Sequence, residues 1–193
     1  MKIIDNFLKQ NDLSAFDKLI QDSLDKPRWK TSQDFYKHEI GGSIPSSINP
    51  FLYEITDTHS DFIIKILKDN NIIESTPDLF VALIQVAQPL ASIEWHTDTH
   101  SNYDEPGSED PYNVIGITLY FNKEWNHNWG GFFCSKELKE DTRGVFVQPV
   151  YNRLVINDGL EPHAVTPVDR SADNRITIQL FVSRESINKG YLE

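Results

Sequence analysis

Hydrophobic positions follow two rhythms along the chain, helical near the N-terminus and alternating further on. Leu13, Phe16, Ile20 and Leu24 recur at helical spacing, with Asn11 or Asp12 placed to cap the first turn and Pro27 to close the last. A second helix is predicted from about Thr58, where Thr58 and Asp61 have the spacing of a capping box. Phe62, Ile63, Ile66 and Leu67 form its apolar stripe, and Asn70-Asn71 ends it. Both stripes read as core-facing surfaces. Residues 41–50, rich in Gly, Ser and Pro, read as loop.

From Leu79 onward the pattern is that of strands. Residues 79–87 are continuously apolar apart from Gln85. Residues 114–121 alternate, with Ile115, Ile117, Leu119 and Phe121 on one face and Thr118 and Tyr120 on the other. Further short strands are predicted over 131–135, 145–148, 153–156 and 175–183, separated by the turn signals Trp129-Gly130-Gly131, Pro149, Asn157-Asp158-Gly159 and Ala172-Asp173-Asn174. Helices followed by many short strands predict a mainly β fold, a sandwich or jelly roll with the N-terminal helices packed outside. One domain is expected, with helical support over residues 1–78 and the β core over 79–184. Residues 99–113 are the longest polar stretch, too long for a simple turn, and loops of this length often serve as lids or binding loops.

Composition narrows the function. The 193 residues include 11 Phe, 7 Tyr and 4 Trp, enough bulky core material to exclude wholesale disorder. No stretch has the ~18 apolar residues of a membrane helix. Charge at Lys2 and Asp5 interrupts the N-terminus too early for a secretory signal. The single cysteine, Cys134, cannot form an internal disulfide, so a cytoplasmic protein is expected. Eighteen basic against 29 acidic residues, a net charge of −11, show no patch suited to nucleic acid.

The chemistry concentrates at Trp95-His96-Thr97-Asp98. If this segment is a strand, His96 and Asp98 point the same way and can converge on one ion. A third ligand then completes a two-histidine, one-carboxylate set, which leaves adjacent positions open on a non-haem Fe(II). His163, in Glu161-Pro162-His163-Ala164-Val165, is the natural third. Further on, Arg175, Thr177 and Gln179 share one face of a strand, opposite Ile176, Ile178, Leu180 and Val182. An arginine on an interior face is costly unless it meets an anion, and its planar fork fits a carboxylate, with the Thr177 hydroxyl beside it. A dicarboxylate such as 2-oxoglutarate, one end on the metal and the other on Arg175, leaves no net charge in such a site.

Four segments together resemble the Fe(II)- and 2-oxoglutarate-dependent dioxygenases, in particular their prolyl-hydroxylase-like branch. These are Glu94 to Asp98; Ile117 to Trp125 with Gly130-Gly131; Tyr151 to Ile156; and Pro162 to Val168 with the Arg175 strand, spanning about residues 79 to 184. The resemblance implies a double-stranded β-helix, the cupin-like jelly roll. It implies that His96, Asp98 and His163 bind Fe(II), and that Arg175, assisted by Thr177, holds the distal carboxylate of 2-oxoglutarate. It extends to Tyr120 and Gln85 as residues facing that co-substrate. Implied too are dioxygen as partner, ascorbate as a possible cofactor, and a C–H bond of a peptide, prolyl residue or amino acid as target, with succinate and CO2 released. Asp98 stands where related halogenating enzymes lack a carboxylate, which favours hydroxylation. Asp169 to Asn174 form a polar insertion before Arg175. The competing reading is a non-catalytic, cupin-like metal-binding module, which has no need of Arg175 and Thr177. His38, His59, His100 and His127 read as loop, cap or rim residues, and Cys134 as a buried small apolar residue.

Overall fold

The computed structural model describes residues 1–25, 30–31, 50–55, 57–78, 80–100, 112–136 and 144–191. Two helices and twelve strands are found among them: β1 (Lys2–Ile4), α1 (Gln10–Leu24), β2 (Lys30–Thr31), β3 (Phe51–Glu54), α2 (Asp57–Asp69), β4 (Phe80–Ala87), β5 (Ile93–His96), β6 (Thr99–His100), β7 (Tyr112–Tyr120), β8 (Phe133–Lys136), β9 (Gly144–Val147), β10 (Leu154–Asp158), β11 (His163–Val165) and β12 (Arg175–Ser183). Single 3-10 turns cover His127–Trp129, Arg184–Ser186 and Lys189–Tyr191.

The strands form two antiparallel sheets. The larger runs β1-β10-β7-β12-β4-β3-β2, with β6 also paired to β7, and the smaller runs β5-β11-β8-β9. The larger sheet takes its shape from two-sided burial. Ala82, Ile84, Val86, Ile115, Ile117, Leu119, Leu154, Ile156, Ile178, Leu180 and Val182 face the helices, where Leu13, Phe16, Leu19 and Ile20 of α1 and Ile63, Ile66 and Leu67 of α2 complete one core. The other face looks toward the smaller sheet across a second cluster of Ile93, Tyr120, Phe133, Val147, Val155 and Val165. Strands covered on both sides need apolar residues at nearly every position, which is why residues 80–87 read as a continuous run. This is the expected jelly roll with helices outside. No helix among the described residues is long and apolar enough to cross a membrane.

Differences lie at the element ends and in the N-terminal part. α1 starts at Gln10 with Lys9 at its N-cap and no side-chain cap, so Asn11 and Asp12 lie inside the first turn, where Asp12 complements the helix dipole. Leu24 is exposed, and Leu19 and Ser23 face inward in its place. Thr58, expected as a cap, lies within α2. Asn71 ends that helix as expected, in a left-handed conformation (φ 56°), and Ile72 N–H donates back to Leu67 O (2.8 Å). β1, β2 and β3 extend the sheet from a region read as helical and loop. Thr99 and His100 pair with Asn113 and Tyr112, so the ends of the polar stretch are strand rather than loop. Pro27, His38, residues 41–49 and the central part of that stretch (101–111), together with its proposed lid role, lie outside the described residues.

Asn152 fastens the N-terminal segment to the sheet. It is buried with φ 60°, accepts at Oδ1 from Leu8 N–H (2.8 Å) and donates from Nδ2 to Leu8 O (2.9 Å). Its own backbone binds Phe7 N–H and Tyr120 O. An alanine there leaves two buried backbone groups of Leu8 unpaired and strains the left-handed backbone. Asn152→Ala is therefore expected to cost about 2–4 kcal/mol in urea denaturation; a loss below about 0.5 kcal/mol would contradict this role.

Candidate metal and anion site

Antiparallel pairing of β5 with β11 brings two distant histidines together: His96, the last residue of β5, stands opposite His163, the first of β11. Their rings lie 4.3 Å apart between centroids. Each ring is oriented in the same way. His96 Nδ1 lies 2.8 Å from Glu94 O and His163 Nδ1 lies 2.9 Å from Glu161 O, the backbone oxygen two residues earlier in each case. A proton on Nδ1 shared with a carbonyl leaves both Nε2 lone pairs facing inward, the arrangement that metal-binding imidazoles adopt.

Asp98 joins them by another route than expected. β5 ends at His96, so the carboxylate is not a strand neighbour two positions on. Instead Asp98 N–H donates to Gly159 O (2.7 Å), and Gly159 N–H donates to Val114 O (3.1 Å), which ties the residue to the β10–β11 turn. Asp98 Oδ1 then lies 3.5 Å from His96 Nε2, and Oδ2 lies 3.2 Å from His163 Nε2. The three donor atoms fall within 4.8 Å of one another, a spacing that can hold a metal ion. Burial opposes the charge on Asp98, but the His163 and His96 imidazoles outweigh it and hold its carboxyl well below the usual range. Burial likewise opposes protonation of His163, and the Asp98 carboxylate overcomes this and raises it. An anionic carboxylate between two inward nitrogens is a donor set that suits a borderline divalent cation such as Fe(II).

Across the same pocket, lined in part by Gln85, His96, Asp98, His163, Arg175 and Gln179, stands a buried cation. Arg175 is 1% exposed. Its guanidinium donates to Gln85 Oε1 (3.3 Å) and Tyr120 Oη (3.5 Å), both long contacts to neutral groups, and stacks over the Tyr120 ring at 5.1 Å. Nε of Arg175 and the Thr177 hydroxyl are buried with no hydrogen-bond partner among the described residues. A buried guanidinium that faces no carboxylate among the described residues can receive an anion, and these free donors fit one carboxylate of a dianion. Gly131 makes the room. A Cβ there would lie 2.9 Å from Arg175 Cδ and 3.2 Å from the Trp125 ring, and its φ of 65° is a backbone state that favours glycine.

All seven residues singled out from the sequence thus gather in one region. Thr177 stands in register between Gln85 and Tyr120, on the strand face that carries Arg175 and Gln179, and is buried. Burial raises the Tyr120 phenol, so it stays neutral and accepts from the Arg175 guanidinium. His127 and His59 fall in the 3-10 turn and α2, and His100 in β6. Cys134 is buried, as expected. The polar insertion before Arg175 is a compact turn in which Asp169 Oδ1 accepts from Ser171 N–H (2.8 Å). Sequence reasoning passed over Gly159 and the pair Thr118–Gln179. The Asn-Asp-Gly signal marked a turn, but nothing linear showed that its glycine meets Asp98.

A Cβ at Gly159 would lie 2.6 Å from Val114 O and 3.1 Å from Asp98 Cβ. Gly159→Ala is expected to displace Asp98 and weaken Mn(II) or Fe(II) binding by about tenfold or more while the fold persists, as is usual for residues that orient metal ligands. Metal titration followed by calorimetry checks this, and unchanged affinity would remove Gly159 from the account.

The sequence model of the 2OG-Fe(II) oxygenase superfamily matches residues 83–183. Among curated proteins no sequence matches the chain. Solved structures similar in fold include a prolyl-4-hydroxylase of Pseudomonas putida (17% identity, TM-score 0.66, covering 95% of this chain and 91% of that one). A prolyl hydroxylase of Trichoplax adhaerens, in complex with a peptide fragment of the hypoxia inducible factor oxygen degradation domain, has the same identity and TM-score, with 99% and 85% covered. The viral collagen prolyl hydroxylase of Paramecium bursaria Chlorella virus-1, in its 2OG complex, is similar at 14% identity and TM-score 0.56, with 94% of each chain covered. With more than half of its length matched, the chain belongs to the 2OG-Fe(II) oxygenase superfamily, enzymes that use Fe(II), 2-oxoglutarate and dioxygen.

Proposed function

We propose that this oxygenase hydroxylates a C–H bond of a peptide, prolyl residue or amino acid, with His96, Asp98 and His163 as the iron ligands and Arg175 as the anchor of 2-oxoglutarate. The observation that carries the reading is the placement, around one pocket, of a three-donor set and a buried guanidinium whose Nε has no partner among the described residues. Iron bound there supplies the redox chemistry by which dioxygen is divided between 2-oxoglutarate, released as succinate and CO2, and the hydroxylated product. The chain's own residues do the holding. His96 and His163 are aimed by Glu94 O and Glu161 O, and Asp98 by Gly159 O. Arg175 and Thr177 receive the distal carboxylate, and the Tyr120 ring supports the guanidinium at 5.1 Å. Phe133, stacked on His163 at 5.5 Å between centroids, keeps that side of the pocket apolar.

Asp98 supports hydroxylation over halogenation, since its carboxylate occupies the position a halide would need. A peptide or prolyl substrate is supported by the fold, shared with prolyl hydroxylases of which one is bound to a peptide. The binding-module alternative leaves the buried Arg175 and Thr177 without a purpose.

Succinate formation from 2-oxoglutarate with Fe(II) and ascorbate, screened against proline-containing peptides and free amino acids, is expected to proceed, with a product heavier by one oxygen. Asp98→Ala is expected to abolish turnover, on the order of 1000-fold or more, without unfolding the domain; a fully active Asp98→Ala enzyme would refute the ligand assignment. Arg175→Ala is expected to raise the KM for 2-oxoglutarate by about 100-fold or more while leaving metal affinity within a few-fold, as loss of a charged hydrogen-bonded partner requires.

A further inference from the structure

On the pocket-facing side of the large sheet, two rows below Arg175, Thr118 of β7 and Gln179 of β12 stand opposite one another. The Thr118 hydroxyl donates to Gln179 Oε1 at 2.7 Å, and both residues line the pocket that holds His96, Asp98, His163 and Arg175. The carbonyl end of the Gln179 amide is thereby occupied within the protein. Its NH2 end has no partner among the described residues. The same is true one row up, where Gln85 Oε1 is taken by Arg175 and the Gln85 NH2 is left over. Acceptors on this wall are satisfied internally, and what remains for a ligand is N–H from two amides and the guanidinium.

Position fixes which part of a ligand each donor meets. Arg175 and Gln179 are four residues apart on one strand face, about 13 Å along the backbone. A five-carbon dicarboxylate held by Arg175 at one end spans roughly half of that, and the two side chains close the rest. The Gln179 amide therefore stands beside the end of the ligand that faces His96, Asp98 and His163.

We propose that Gln179, with its amide turned by Thr118, selects the co-substrate: it donates an N–H to the keto-acid end of 2-oxoglutarate and disfavours ligands bearing a donor there. This rests on the reading of the pocket given under Proposed function. An amino acid such as L-glutamate has the same two carboxylates as 2-oxoglutarate, but its ammonium presents donors to a wall of donors. Thr118 acts through Gln179 and is a positioning residue. It holds the amide carbonyl away from the anion, so that the ligand meets the NH2 end.

The test is calorimetric titration of 2-oxoglutarate, and separately of L-glutamate, into the Mn(II)-loaded protein and its variants. Gln179→Leu is expected to weaken 2-oxoglutarate binding by about tenfold to a hundredfold, the worth of one hydrogen bond to a charged group. Mn(II) affinity should stay within twofold. Gln179→Glu, which exchanges the donor for a carboxylate, is expected to weaken it further. Thr118→Val keeps the shape of the wall and frees the amide to turn; weakening of several-fold is expected, with kcat recovered at saturating 2-oxoglutarate. The preference for 2-oxoglutarate over L-glutamate should narrow in both Gln179→Leu and Thr118→Val. Binding by Gln179→Leu and Thr118→Val within twofold of the wild type would overturn the inference and leave the reading of the pocket standing. Failure of the wild-type protein itself to bind 2-oxoglutarate would overturn both.

Discussion

A guanidinium sealed inside the protein, with no carboxylate beside it among the described residues, sets the terms for the rest of this structure. Removing a cation from water costs several kcal/mol even after relaxation, and neutral contacts recover only part of that. Arg175 has a tyrosine ring, a tyrosine hydroxyl and an amide oxygen around it, none of them charged. The deficit is tolerable because the residue sits on β12, fixed by β4 on one side and β7 on the other, in a sheet covered on both faces. Stability stored in two apolar cores holds a cation that no carboxylate among the described residues neutralises.

The metal-binding side depends on register in the smaller sheet. The opposition of His163 to His96 is a consequence of β5–β11 pairing, and slippage by one residue would send one imidazole to the outer face. The carboxylate is held by a different device, a backbone bond to the turn between β10 and β11. Both sheets therefore contribute: the smaller one brings the imidazoles, and the larger one brings the Arg175 guanidinium and, through the turn after β10, the residue that orients Asp98. The pocket lies where the two faces meet and is lined from both sheets.

How much of this was legible in sequence differs by element. β12 was readable to its end residues because each of its positions alternates between two chemically distinct environments, and the same alternation separated the Arg175 face from the core face. The two helices were legible from their stripes, though their N-caps were not: α1 has Lys9 at its N-cap, whose side chain makes no cap, and no local residue type announces that. β1, β2 and β3 span three, two and four residues, too short for periodicity to show, and their pairing is set by partners far along the chain. The triad was readable as residue types, but the reason given for Asp98, a shared strand face, was replaced by a tertiary bond to Gly159. Gly131 and Gly159 act through the space their missing side chains leave, and Thr118–Gln179 through cross-strand pairing. Such roles are defined in three dimensions and leave no linear pattern.

The most direct test is the electron density of crystals grown without oxygen and loaded with Fe(II) and 2-oxoglutarate, with the iron located by anomalous scattering. The account predicts one iron at about 2.1 Å from His96 Nε2, His163 Nε2 and an Asp98 oxygen, with the distal carboxylate of 2-oxoglutarate on the Arg175 guanidinium. Iron bound elsewhere, or a co-substrate whose far end lies away from Arg175, would contradict it.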